Sequence, residues 1–206
     1  MEKILLAIET SGPVLGLAVF KNGSLAGEMS VAAGRRHSEI LAASCQKLLK
    51  RTKLQKSHLT HLAVDTGPGS FTGLRVGIAF ARTLAQFLKI PLVGISLFEI
   101  LARQEGAERA WITLPSIGED VYVAKPQVPY RVLPRPELER ELARATRGKI
   151  SLLDGSTVEP SARVLAELAL ERIAAKRVPA DSWKKIFPLY LRPSIAQERK
   201  GFRKKK

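Results

Sequence analysis

Two hundred and six residues can form one large domain or two small ones. With 45% of them hydrophobic there is enough apolar surface for a buried core, which excludes a disordered chain. The net charge of +15 makes a polyanion such as RNA the natural counterpart, and the single cysteine excludes an internal disulfide.

Charge is unevenly distributed. Residues 183–206 hold nine Lys or Arg against one acid, Glu198. Such a cluster attracts polyanions by releasing their counterions, and it also serves as a solvated end that keeps a protein soluble; both readings stay open. No segment reaches the ~18 uninterrupted apolar residues of a membrane span, and the apolar run near Met1 is too short for a secretory signal. A cytoplasmic, membrane-free protein is the expectation.

Ile4–Ile8 is a short apolar run that suits a strand buried on both faces, and Gly12-Pro13 breaks it. Leu15, Leu17 and Val19 alternate with small residues, Asn22-Gly23 supplies a two-residue hairpin turn, and Ser24–Val31 returns as a third strand. Ser38 is placed to cap a helix whose apolar stripe is Ile40, Leu41, Cys45, Leu48 and Leu49, ending near Arg51. His61–Asp65 reads as a strand running into a glycine-rich loop. Thr72 then caps a second helix with Leu74, Ile78, Leu84, Ala85 and Leu88 on one side, stopped by Pro91. Leu92–Ile95 is the next strand, and Ser96 caps a helix over Leu97–Gln104.

Three strands followed by helix-linked strands predict an α/β lobe with a mixed sheet and helices on its faces. Beyond residue 105 the pattern weakens. Ala110–Leu114 and Asp120–Ala124 suggest a hairpin, four prolines between 126 and 136 suggest a link, Lys149–Leu153 a strand and Ser161–Lys176 a helix. The predicted division is an N-terminal lobe over 1–105, a smaller second lobe over 106–195 and a basic tail over 196–206.

The loop and helix start Asp65-Thr66-Gly67-Pro68-Gly69-Ser70-Phe71-Thr72-Gly73-Leu74-Arg75-Val76-Gly77 places four glycines in thirteen residues. It lacks the lysine and the spacing of a P-loop and the third glycine of a dinucleotide fingerprint. Gly73, Gly77 and Ala81 lie four apart, so they line one ridge along which another backbone can approach closely. That ridge meets either a partner or this chain's own sheet. His58 and His61 miss the spacing of a helical metal pair, there is no Cys-x-x-Cys, and Ser70 is not in a hydrolase elbow, so no catalytic or metal site is predicted. Glu9-Thr10-Ser11 offers a carboxylate and two hydroxyls to a nucleotide, or simply forms a turn.

Ile8-Glu9-Thr10-Ser11, His37 at a helix start, the motif Gly67–Gly77 and Pro188-Leu189-Tyr190-Leu191-Arg192 together resemble the bacterial TsaB (YeaZ) family. The resemblance implies the actin-like/Hsp70-like ATPase (ribonuclease H-like) fold with a reduced second lobe. It further implies a non-catalytic subunit, required for threonylcarbamoyl transfer to adenosine 37 of tRNAs reading ANN codons, that partners and activates a catalytic paralogue. An ATPase subunit of the same pathway and tRNA would be further partners. No cofactor is expected on the isolated chain, ATP belongs to the assembled complex, and self-pairing of the free chain stays open. By the same resemblance the helices near 38–51 and 72–88 pack against the matching pair of the paralogue, through Ile40, Leu41, Gly73, Leu74, Gly77 and Ala81. Arg199, Lys200, Arg203, Lys204, Lys205 and Lys206 are the candidate RNA contacts. Leu114–Gly118 departs from the family's usual Asp-Ala-Arg segment. The competing reading is a small ATPase or sugar kinase of the same fold, with Glu9, Thr10 and Ser11 at the nucleotide.

Overall fold

The computed structural model describes residues 2–116, 118–126, 128–145, 151–175, 178–179 and 181–189. Strands β1 (Ile4–Glu9), β2 (Val14–Lys21) and β3 (Ser24–Ala32) form an antiparallel meander. Its turn uses Asn22 and Gly23 at φ 53° and 84°, the left-handed conformation that this residue pair tolerates. Helix α1 (His37–Arg51) leads to β4 (His61–Asp65), α2 (Phe71–Leu88), β5 (Leu92–Ile95) and α3 (Leu97–Gln104). β4 and β5 run parallel to β1, giving the sheet order β3-β2-β1-β4-β5. An antiparallel meander continued by parallel strands is the ribonuclease H-like sheet of the actin-like fold.

Both faces of this sheet are covered, and β1 alternates accordingly. Ile4, Leu6 and Ile8 pack with Leu41, Cys45 and Leu48 of α1 and Ile78, Ala81 and Ala85 of α2. Leu5 and Ala7 pack on the other side against Leu165, Ala166 and Ala169. Those residues belong to α5 (Ala162–Ala174), capped by Ser161.

A second sheet, ordered β8-β7-β6-β9, is built from β6 (Trp111–Pro115), β7 (Asp120–Lys125), β8 (Val128–Pro134) and β9 (Leu152–Asp154), with α4 (Arg135–Ala145) beside it. The division at 105 therefore separates the two sheets but not everything after it. α5 crosses back to the first sheet, and so does the segment near 182–189: Ser182 Oγ donates to Leu92 O at 2.7 Å and accepts from Leu92 N at 3.0 Å, sealing the β5 edge. The proline-punctuated link proves to be β8 followed by α4. Pro129 lies in a strand at the rim of the sheet, and Pro136 sits in the first turn of α4, where a missing N–H costs nothing.

Two caps differ from expectation. The cap of α1 falls two residues earlier, at Arg36, and α2 is capped by Ser70, whose Oγ accepts from Gly73 N at 3.2 Å. Phe71 and Thr72 thereby join the helix.

The small-residue ridge of α2 points inward. A Cβ on Gly73 would lie 2.1 Å from the Thr10 carbonyl oxygen, and one on Gly77 would lie 2.1 Å from Thr10 Oγ1. Ala81, Leu74 and Leu41 are 0%, 4% and 2% exposed, and Ile40 packs half-buried against the same core. Five of these six residues are turned into this chain's own core and Ile40 alone is half-exposed; the spacing of Gly73, Gly77 and Ala81 serves the chain's own β1 turn. Gly73→Ala is expected to lower the melting temperature of the isolated protein. Overpacking of this kind costs ~1–3 kcal/mol, and each kcal/mol is worth roughly 2–4 °C at this chain length. An unchanged melt would contradict the inward packing.

Candidate functional site

The carboxyl ends of β1 and β4 are parallel neighbours in the middle of the sheet, with Ile8 opposite Val64. Each strand ends in an acid, and both side chains are buried: Glu9 is 1% exposed and Asp65 is fully enclosed. Glu9 Oε1 accepts from Ser11 N at 2.6 Å and also from Ser11 Oγ. Asp65 Oδ1 accepts from Gly67 N at 2.7 Å. The two carboxyls are in hydrogen-bonding reach of each other, and Asp65 Oδ2 has no donor among the described groups.

Among the described residues no Lys or Arg pairs with either acid. Burial pushes the Glu9 carboxyl well above the usual carboxylate range, and the neighbouring Asp65 charge adds to the shift. Burial also pushes Asp65 up, to about 6, against the pull of the Gly67 amide. Two adjacent carboxyls without a cation cannot both ionise cheaply, so the pair resists carrying two charges and Glu9, pushed well up, is the group that holds a proton.

The loops after these strands are tied to each other. Ser70 N donates to Ser11 O at 2.7 Å, Leu97 N to Gly67 O at 2.8 Å and Leu189 N to Thr66 O at 2.7 Å. The Gly67-Pro68 peptide is cis. Together they line one wall of a cleft of about 530 Å³ between the two sheets, in which Ser11, Gly69 and Ser70 face Ser116, Ser156 and Thr157. Glu9, Thr10 and Ser11 are thus brought together, but only Ser11 reaches the cleft wall. Thr10 turns toward α2, and its Oγ1 is a second buried polar atom without a partner.

His37 is buried at the start of α1, and its Nε2 is likewise unpartnered. No group of three or more His, Cys, Asp or Glu among the described residues could hold a metal. No helix among them is long and apolar enough to cross a membrane. Arg199–Lys206 lie outside the described residues. Asp65 was the residue that sequence reasoning passed over; its signal was an acid ending an apolar strand in parallel register with Glu9.

A second concavity, of about 810 Å³, opens between α1 and α2. Ala42, Cys45, Gln46 and Leu49 come from α1, Phe80 and Leu84 from α2, with Leu54 beyond and Lys50, Lys53 and Lys56 around it. Phe87, 69% exposed, continues this face under Lys56 Nζ, 5.3 Å from its ring centre. The Cys45 thiol is pushed up to about 12 by burial, so it acts here as apolar lining.

A meander-plus-parallel sheet, helices on both faces and a cleft toward a reduced second sheet define a member of the actin-like ATPase fold. The family model for TsaD, tRNA N6-adenosine threonylcarbamoyltransferase, matches residues 29–118. The chain is 35% identical over 98 residues to the tRNA threonylcarbamoyladenosine biosynthesis protein TsaB of Bacillus subtilis, covering 48% of this chain and 43% of that one. It is 24% identical to the Escherichia coli protein of the same name, covering 93% of this chain and 96% of that one. At about 35% identity the chain spans about half the length of the curated relatives it matches. The solved structure of YeaZ from Pseudomonas aeruginosa superposes with a TM-score of 0.75 at 22% identity, covering 92% of this chain and all of that one. In sequence and in fold the chain is similar to the TsaB (YeaZ) proteins.

The carboxyl pair sets a pH dependence of stability. Both groups bind protons more tightly folded than unfolded, so their stabilisation is complete below pH ~4, the ordinary carboxylate pKa, and declines as pH rises through about 6 and above. The decline amounts to roughly 1.4 kcal/mol for each unit of raised pKa. Glu9→Gln keeps a donor for Asp65 and removes one titration. Its melting temperature should fall less than that of the wild type between pH 5 and pH 8. Parallel curves would contradict the proton held by Glu9.

Proposed function

We propose that this chain is a non-catalytic subunit of tRNA threonylcarbamoyladenosine synthesis, acting in the cytoplasm as heterodimer partner and activator of a catalytic paralogue that modifies adenosine 37 of ANN-reading tRNAs. The observation that carries the reading is positional. The span that matches the transferase family model, residues 29–118, contains both α1 and α2. The face those helices turn outward is apolar at its centre and basic at its rim. A paralogue with the same helix pair would present a like surface, so the two could meet through a four-helix contact.

The interface is then the outward face, with Phe80, Leu84, Phe87 and Leu54 at its centre, and not the inward ridge. In this reading the isolated chain carries out no transfer, ATP enters with the assembled complex and its ATPase subunit, and the basic run Arg199–Lys206 adds phosphate contacts to tRNA. The alternative of a small ATPase or sugar kinase draws on the hydroxyl-lined cleft at the amino end of α2. Against it, the carboxylates at the strand ends are enclosed and face each other.

Phe80→Glu combined with Phe87→Asp tests the assignment. The isolated variant should melt within a few degrees of wild type, since neither ring is fully buried. Affinity for the paralogue from the same cell should fall at least tenfold, and the variant should not restore tRNA modification in cells depleted of the native protein. Full restoration, or steady ATP turnover by the purified wild-type chain that Ser11→Ala abolishes, would overturn the reading.

A further inference from the structure

Each sheet ends in two edge strands, and an edge strand offers a row of unpaired N–H and C=O groups to any chain that lies beside it. Among the described residues three of these edges are blunted. β5 has four residues and is sealed by Ser182, and β9 has only three. β8 carries Pro129 near one end and Pro134 at the other, which interrupts its row of donors. β3 is different: it runs for nine residues, contains no proline, lysine or arginine, and among the described residues pairs only with β2. The one irregularity in its register lies between Leu25 and Gly27, so residues 27–32 stay in regular pairing.

Helix α1 overhangs this edge. A Cβ on Gly27 would lie 2.7 Å from Thr52 Cγ2 and 3.4 Å from Leu48 Cδ1, and Met29 and Val31 pack into the same core. These three residues face the helix, while Glu28, Ser30 and Ala32 are exposed on the other face. α1 touches β2 and β3, and α2 touches β1, β4 and β5, so the flank of α1 away from α2 is the one on the β3 side. At about 3.6 residues per turn, Arg36, Ile40, Lys47 and Arg51 share that flank; none of them lines the groove toward α2. Ile40 is half-exposed and the three cations are exposed, without a carboxylate partner among the described residues. Arg36 and Arg51 are separated by ~22 Å along the helix at ~1.5 Å per residue, and residues 27–32 extend over ~20 Å as a strand.

An open backbone edge beneath a basic strip of equal length suits a strand whose alternate side chains are acidic. Its main chain pairs with β3, and every second residue points up to the cations. A second copy of this chain is a poor occupant, because two-fold pairing through β3 would set both basic strips side by side. The chain's own residues 183–206, with nine cations against one acid, meet the same repulsion. A nucleic acid would use the cations but not the backbone row.

We propose that β3 is a docking edge for an extended acidic segment of another protein, which adds a strand to the five-stranded sheet beneath Arg36, Lys47 and Arg51. The edge lies on the side of α1 away from the groove assigned to the paralogue, so it goes beyond the subunit reading and does not rest on it.

Fluorescence anisotropy of a labelled peptide of about ten residues, alternating threonine and glutamate, titrated with the full-length protein, tests it. Binding should saturate, and hydrogen exchange of the β3 amides should slow in the complex. The matching threonine–lysine peptide should bind about fivefold or more weakly, and Lys47→Glu with Arg51→Glu should reverse that order. N-methylation of one alternate set of amides in the acidic peptide should weaken binding about fivefold for each bond lost, while methylation of the other set should not. The charge-reversed variant should melt within a few degrees of wild type, since both side chains are exposed. Absence of saturable binding up to ~1 mM, equal affinity for the two peptides, or unchanged β3 exchange in the complex would overturn the proposal. So would a charge-reversed variant that loses a short oligoribonucleotide while keeping the acidic peptide. Protection of β3 that rises with protein concentration in the absence of peptide would overturn it in favour of a second copy. Phe80→Glu with Phe87→Asp should bind the acidic peptide like wild type, which separates failure of this edge from failure of the heterodimer.

Discussion

The structure depends on how closely the backbone at Thr10 approaches the first turns of α2. Only positions without a side chain permit the approach, and Gly73 and Gly77 supply two such positions one turn apart. Each glycine costs ~1 kcal/mol of helix propensity relative to alanine, a cost offset by fixing α2 against the end of β1. From that contact the rest follows. Ser70 caps α2 and at the same time bonds Ser11, so the helix start and the β1 turn become one unit. With the inner side of α2 committed to Thr10 and the sheet, its outer side is the one that α1, solvent and any partner share.

The same junction explains how a strongly basic chain holds two acids at its centre. Glu9 and Asp65 are kept by backbone amides, a serine and each other, without a compensating cation among the described residues. That arrangement holds the strand ends together as a neutral or singly charged pair, and it leaves the positive charge of the chain to the outside. The nearest charged group on α3, Glu99, adds to the upward pressure on Asp65 and is itself met by Arg172 of α5. Function in this account is therefore moved away from the cleft, toward the helices.

Much of the fold was legible because its signals are local. The continuous apolar run of β1, the Asn22-Gly23 turn and the Ser96 cap were all written in adjacent residues. The resemblance in the glycine motif pointed to the TsaB (YeaZ) proteins, to which the chain is similar. Direction was not legible: Gly73, Gly77 and Ala81 announce a close contact, but spacing alone does not say whether the neighbour is Thr10 or another molecule. The second sheet was read poorly because prolines mark both links and sheet rims, and β8 with α4 falls in the latter case. The return of α5 and Ser182 to the first sheet is a long-range event that no local pattern encodes. Asp65 was hidden for a related reason, since its meaning comes from Glu9, more than fifty residues earlier.

The central claim is that α2 faces this chain on its glycine side and the paralogue on its aromatic side. Hydroxyl-radical footprinting of the protein with and without the paralogue reads both at once. The account predicts that Phe87, Phe80 and Leu54 lose reactivity in the complex while the reactivity of Leu114 and Val158 at the cleft is unchanged. Protection confined to the cleft, with Phe87 as reactive as in the free protein, would contradict it.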